Sequence, residues 1–540
     1  MTPAVAKGCP VDLEYADLQG NILTAYGRLG FPFGRFGLVA VSDPEAGRKF
    51  VEELRPRVTT ALRWKSRSKN IPTGRREVER PPVTINLAFT FAGLRALGVP
   101  TRTLRGMPDE FIDGMAARCN ILGDDTPENR LADWDKVWRG QGLNGGVHIL
   151  VMLNAEMGDD GNPVPELDQV CSQVAALCDA SGGGVRLLAG HGAPNRQWQD
   201  LAALKDSKGI PCAKEHFGYT DAISDPVFEG QYPEGTEKAR AVGFGATDGA
   251  GNWRPLAAGE FLLGWPDEAQ ETPGASMPLD FSRNGTFFAY RKLQQDVAAF
   301  EGWVKETAEK LKDAWRLGSF EEARETLLAK MAGRWSDGVP LSAAPDWDAW
   351  NEFNRKYPED TLNRVRTDGE RQRRLVDFLY RGDEAGLKCP MTAHIRRVNT
   401  RDMLDPRGGS ESAASRLGSS LNNRRRILRR GLPYGKPSDG AEQGIVMLAV
   451  CASLQRQYEF VQQQWVNYGL DSNAGNDTDP VIGNHGPDAK FVIAADPASG
   501  NPPFIATGLK QWVQTRGGDY FFMPSMTALR MISMGVVDPT

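Results

Sequence analysis

The sequence predicts an α+β fold of two ferredoxin-like halves, each an antiparallel sheet with peripheral helices. Three observations carry this. Strand and helix signals alternate through the first third in the order β-α-β-α-β-α-β. Setting aside the short second helix leaves the split βαβ pattern of a ferredoxin-like sheet. The last third repeats the theme beyond a Gly/Pro-rich stretch from Gly192 to Gly259.

Taken in order, Phe33 to Val41 reads as a strand, and a helix follows from about Asp43 to Arg63. Val83, Ile85, Leu87 and Phe89 alternate with Thr84, Asn86 and Ala88, which predicts a half-buried strand. A short helix carries Leu94 and Leu97 on one face and ends at Gly98 and Pro100. After a long insertion to Gly146, Val147, Ile149, Val151 and Leu153 alternate again. Leu167, Cys171, Val174 and Cys178 sit at helical spacing between Val164 and Ala180, and Gly184 to Ala189 reads as a closing strand. In the last third, Thr286 to Tyr290 predicts a strand. The helix after it carries Val297, Phe300, Trp303, Val304 and Leu311 near one stripe. Arg426 to Leu428 and Ile445 to Val450 read as strands. A helix then places Leu454, Tyr458, Val461 and Trp465 on one side. Tyr520 to Met523 is the final strand, and Pro524 opens a last short helix. Arg407 to Asn423 and Gly469 to Gly486 read as long surface loops.

The chain has 540 residues, 40% hydrophobic and 25% charged, so it is long enough to bury a sizeable core. Its net charge of −5 argues against a general nucleic-acid binder. No apolar run approaches the ~20 residues that span a bilayer. Acids at Asp12, Glu14 and Asp17 and the lack of an apolar stretch argue against a secretory signal. The seven cysteines are scattered, with no C-x-x-C pair and no C-x-x-C-H, which fits a reduced, cytoplasmic chain. Phosphate-loop, nucleophile-elbow, H-E-x-x-H and EF-hand motifs are absent.

Two segments concentrate chemistry. Glu215 to Pro226 packs one His, two Asp and one Glu into a loop-like stretch. It reads either as a turn punctuated by Asp225-Pro226 or as an acid–base site. Ala393 to Arg401 sets His394 among three arginines. A neutral imidazole suits haem iron, and the cations suit anionic propionates. A salt-bridged core histidine fits the same residues. The densest basic run, Arg424 to Arg430, stays open between a solvated strand edge, a nucleic-acid patch and a buried functional arginine.

Nine segments in one consistent order resemble the dye-decolorising peroxidases, a haem b family. They include Asp17-Leu-Gln-Gly-Asn-Ile-Leu23, Asn86 to Gly98, His216-Phe-Gly-Tyr-Thr-Asp-Ala222, Gly259 to Gly264 and Asn284 to Arg291. The His394 segment, Ile427 to Gly435, Phe460 to Trp465 and Arg516 to Phe522 complete the set. The size and loops look most like the larger, non-secreted bacterial subgroup. The resemblance implies a dimeric α+β barrel type of fold. Residues 1–215 would be an N-terminal ferredoxin-like domain, 216–258 a linker region with the distal motif, and 259–540 a C-terminal haem-binding domain. It implies one non-covalent haem b per chain, hydrogen peroxide and an organic reductant as partners, and no nucleic acid or membrane. A homo-oligomer stays open.

Residue by residue, the resemblance implies His394 as proximal iron ligand, Asp221 as distal acid–base residue and Arg429 as distal arginine. It implies Arg397 as a propionate partner and Asp479 as acceptor for the other imidazole proton of His394. An Asp-Pro turn is the plainer reading of Asp479. At 222 this chain has alanine where the family usually has glycine, and the added methyl would crowd Asp221. That departure sustains an alternative reading, a haem-binding protein with little turnover. The chemistry suits the pair: an ordinary Asp ionises near ~3.9 against ~6.5 for His, so it stays a base in mild acid. An arginine stabilises negative charge on a departing oxygen. Only five histidines are present, and a site needing one imidazole fits that scarcity. His216 is expected to brace its loop, and His148, His191 and His485 to be structural. No surface acid cluster names itself as a manganese site, and no single Trp or Tyr as an electron exit.

Overall fold

The computed structural model describes residues 11–27, 30–64, 66–67, 77–139, 145–221, 223–233, 235–247, 252–358, 369–404, 420–436 and 442–537. Ala222 and most of the Ser/Gly-rich stretch from Arg407 lie outside them.

Nine strands form one antiparallel sheet. The first half supplies β1 (Phe33–Val41), β2 (Val83–Phe89), β3 (Ile149–Ala155), β4 (Val185–Leu187) and β5 (Trp198–Ala202). The second supplies β6 (Thr286–Gln295), β7 (Leu428–Tyr434), β8 (Gly444–Cys451) and β9 (Val513–Met523). The spatial order is β7-β8-β6-β9-β2-β3-β1-β4, with β5 also on β1. Each half repeats the order second, third, first, fourth, which is the split βαβ arrangement. The halves meet where Phe522 of β9 pairs with Phe89 of β2. One hydrophobic cluster runs across that seam and includes Phe89, Leu150, Phe287, Phe288 and Phe521.

Helices cover the periphery: α1 (Pro44–Leu54), α2 (Phe91–Ala96), α3 (Glu166–Ala180), α4 (Val297–Trp315), α5 (Phe320–Ala332), α6 (His394–Val398) and α7 (Met526–Met534). The carboxylate of Asp43 caps α1 by accepting from the Glu45 and Ala46 amides. The helix expected to reach Arg63 stops at Leu54, and Arg55–Arg57 makes a tighter turn around Pro56. The strand expected at 426–428 instead spans Leu428–Tyr434 and contains Pro433. A proline is tolerated there because β7 is an edge strand paired only with β8. The run from Leu454 to Val466 is helical, but in the wider π form. β2 was expected to be half-buried, yet both faces are covered. The amide nitrogen of its polar residue Asn86 donates to Gln19 Oε1 and to the Thr59 carbonyl. β5, α5 and the helices Trp347–Lys356 and Glu370–Val376 were not anticipated. Among the described residues, no helix is long and apolar enough to cross a membrane.

The insertion between α2 and β3 is fastened onto the seam by charge. Arg291 of β6 donates two hydrogen bonds to Asp124, at 2.5 and 2.8 Å, and a third to Thr515 of β9. Both charged side chains are almost fully buried. Gly517 is packed as tightly: a Cβ there would stand 2.0 Å from the Trp138 ring. Asp124→Ala leaves the Arg291 charge buried without its carboxylate partner, a change that costs about 3–5 kcal/mol. A urea or thermal melt should show a clearly lowered midpoint, and an unchanged midpoint would refute the fastening role.

Candidate active site

Period-two geometry places the first side chain. Along β7, Leu428, Arg430, Leu432 and Tyr434 are buried toward the barrel. Arg429, Gly431 and Pro433 take the opposite face. In register beside them, Met447 and Ile445 of β8 are only partly covered, as is Ile427 just before the strand. The result is an open, largely apolar floor bearing one guanidinium.

That guanidinium meets Asp221. Arg429 Nη2 donates to Asp221 Oδ1 at 2.7 Å, and both side chains are partly exposed, at 44% and 38%. The Asp221 charge is the main cause of an Arg429 pKa raised above its ordinary value. Asp225 ties the same loop to the strand. It accepts from the Arg429 amide at 3.2 Å and from Arg430 Nη1 at 2.7 Å. Arg430 also donates to the carbonyls of Asn21 and Ile22. The Asp225-Pro226 pair, read as turn punctuation, therefore anchors the distal loop. Its position within a dense acidic stretch was the available signal. His216 braces this region as expected, its Nε2 donating to the Tyr434 carbonyl at 2.9 Å.

His394 opens α6. Its Nδ1 lies 2.9 Å from Asp479 Oδ2. The other Asp479 oxygen accepts the amides of Val481 and Ile482, at 2.8 and 3.0 Å. The carboxylate is fully buried and cannot turn. Burial would raise its pKa, but the neighbouring His394, then Arg397 and the Ile482 amide, outweigh this and hold it low. An ionised Asp479 accepts a hydrogen bond from the Nδ1–H and leaves the Nε2 lone pair free. Nε2 makes no hydrogen bond among the described residues, and the side chain is 24% exposed. A metal-ligating imidazole needs this tautomer and this access.

Arg397 is placed differently from the expectation. It is fully buried, and its guanidinium donates to the carbonyls of Thr392, Trp465, Tyr468 and Asp477. With no accessible surface to offer a carboxylate, it fastens the π-helical segment and the Asp479 loop to α6. The rest of the basic run is also committed within the fold. Arg424 pairs with Asp267 and Glu271, Arg425 lies over the Phe460 ring, and Arg426 donates to the Gly245 carbonyl. His485 bonds the carbonyls of Lys510 and Asp479, and His148 accepts from the Val41 amide.

An imidazole turned by a buried carboxylate, and an acid–guanidinium pair beside an apolar floor, fit a haem-dependent peroxidase. The family profile described as "DyP dimeric alpha+beta barrel domain" matches residues 17–164. The Multifunctional dye peroxidase DyP2 of Amycolatopsis sp. is 30% identical over 394 residues, covering 67% of this chain and 72% of that protein. Peroxidase 2 of Mycetinis scorodonius is 26% identical over 98% of this chain and 89% of its own. The fungal DyP-type peroxidase structure from Auricularia auricula-judae superposes with a TM-score of 0.69 at 22% identity, over 97% of this chain and all of that one. The chain belongs to the dye-decolorising peroxidase family. It is a haem enzyme and a peroxidase.

Because the Asp479 pKa is depressed, its contribution to stability is present above the unfolded value and is lost as pH falls through the folded one. The His394 contact should thus survive below pH ~4, the ordinary aspartate range. Asp479→Asn should flatten the acid limb of a stability-versus-pH curve, and an identical limb in variant and parent would count against the assignment.

Proposed function

We propose that the chain binds one haem b non-covalently, reduces hydrogen peroxide and oxidises dyes, phenols or other bulky reductants. The observation that carries this reading is the pairing of Asp221 with Arg429 on a floor otherwise made of Ile427, Gly431, Pro433, Ile445 and Met447. A flat apolar ring suits that floor, and His394 Nε2 would hold its iron. Haem supplies the redox capacity that peroxide cleavage and single-electron oxidation of a reductant both need.

Peroxide activation requires a proton to leave one oxygen and arrive on the other. Asp221 takes and returns that proton. Arg429 remains charged at any working pH, orients Asp221, and stabilises negative charge on the departing oxygen. Asp479 keeps the His394 ring in one tautomer and one orientation. Arg397 contributes by bracing α6 rather than by touching the cofactor. Because an aspartate remains a base below the histidine range, turnover is favoured in mild acid.

The division at 215 and 259 is consistent with the strands, since β1–β5 precede it and β6–β9 follow it. The six described cysteines are all free, which supports a reducing, cytoplasmic setting.

Three substitutions separate the roles. His394→Ala should abolish or severely weaken haem binding, read from the Soret band; a normal band would refute the ligand assignment. Asp221→Asn should slow the reaction with peroxide in a rapid-mixing experiment. Arg429→Leu should slow it by roughly 10²–10³-fold, the loss typical of one charge-stabilising donor. Unchanged rates in either variant would remove that residue from the mechanism.

A further inference from the structure

Asp221 sits at the end of a short hairpin, and the hairpin closes around a carboxylate that the peroxidase chemistry leaves unused. Glu215 is buried among its neighbours. Its Oε2 accepts the Phe217 amide at 2.9 Å and Gln295 Nε2 at 2.5 Å. Its Oε1 accepts the Tyr219 amide at 2.8 Å. The main chain closes the same loop, with the Glu215 amide donating to the Tyr219 carbonyl and the Gly218 amide to the Glu215 carbonyl. Beyond the clamp, Thr220 donates twice to the Ser336 carbonyl, and the Asp221 amide donates to Ala213 at 2.7 Å. Every residue from 215 to 221 but His216 thus has its main-chain amide committed to a hydrogen bond that holds the loop. Phe217 is stacked on Phe300 at 4.2 Å, and His216 is held by β7.

We propose that Glu215 is a positioning residue for Asp221, its carboxylate and Gln295 together fixing the loop that presents the distal acid to Arg429. The proposal rests on the reading of Asp221 as the acid–base residue. Loops of six or seven residues have many accessible shapes, and two amides directed at one side-chain carboxylate select one of them. A displacement of about 1 Å at a reacting group is enough to slow a reaction by about 100-fold.

Gln295 gives the clamp two protonation states. Its Oε1 is buried without a partner. Burial pushes Glu215 up to about 7, with the negative Asp221 of its own loop adding to the shift, while Gln295 and the two amides pull it down. Asp221 is the charged group that faces it, and β6 contributes the uncharged Gln295. When Glu215 takes up a proton, a turned Gln295 amide presents Oε1 to the new O–H. The loop then keeps its seat on both sides of neutrality. Since the folded chain holds this proton more tightly than the unfolded one, the fold gains stability as pH falls through about 7.

The test compares Glu215→Ala, Glu215→Gln, Gln295→Leu and Asp221→Asn as haem-loaded proteins. Expected for Glu215→Ala is a peroxide reaction slowed about 100-fold. The Soret band and the KM for a dye should stay unchanged, and amide exchange over residues 216–221 should be faster. Glu215→Gln keeps one acceptor and should fall between the two. An infrared carboxylic-acid band that titrates near neutrality in the parent should vanish in Glu215→Gln. If Glu215→Ala does not fold, Gln295→Leu should still loosen the loop and slow the reaction. A wild-type peroxide rate in the Glu215 and Gln295 variants overturns the proposal, as does slowing with unchanged exchange protection. A wild-type rate in Asp221→Asn overturns the acid–base reading, and the Glu215 proposal with it.

Discussion

Two consecutive residues on a strand must face opposite sides, and the site depends on that constraint at Arg429 and Arg430. One guanidinium turns outward to Asp221; the other turns inward to Asn21, Ile22 and Asp225. The inner arginine fastens β7 to residues near the start of the chain, while the outer one meets the Asp221 carboxylate. Asp225 joins them by holding both the Arg429 amide and the Arg430 side chain. A slip of one residue in β7 would bury the distal arginine and expose its anchor. The ladder from Leu428–Val450 to Tyr434–Gly444 fixes the register against such a slip.

On the His394 side, order comes from buried charge. Asp479 is oriented by two amides and presents a fixed oxygen to His394. Arg397 secures the same loop through four carbonyls. A guanidinium suits this task because its donors lie in one rigid plane. The two sides also share packing: Phe217 of the distal hairpin and Val481 beside Asp479 lie in one apolar cluster with Phe300 and Trp512.

Much of this was legible from the chain itself. Alternation in Val83–Phe89 and Val147–Leu153 reported strands because side-chain direction has a period of two. The same pattern could not report that β2 is covered on both sides, since Asn86 looks solvent-facing until Gln19 and the Thr59 carbonyl meet its amide nitrogen. Local signals also missed β5, whose pairing with β1 joins residues about 165 apart. For the site, motif resemblance indicated His394, Asp221 and Arg429, and the structure joins Asp221 to Arg429 and His394 to Asp479. It did not reveal the four carbonyls that Arg397 meets, because a short motif records residue identity and not which carbonyls converge on it. Glu215 and Gln295 were hidden for the same reason: they are 80 residues apart in sequence.

The repeated strand order has an asymmetric outcome. In the first half, β2 and β3 are sealed on both faces by the insertion, the helices and the partner half. In the second half, one face of β7 and of β8 as far as Met447 is only partly covered among the described residues. Topology is duplicated, but hydration is not. Strands of the same rank in the two halves therefore differ in what can reach them: among the described residues, the floor beside Arg429 is open to a flat guest, and the matching faces of β2 and β3 are not.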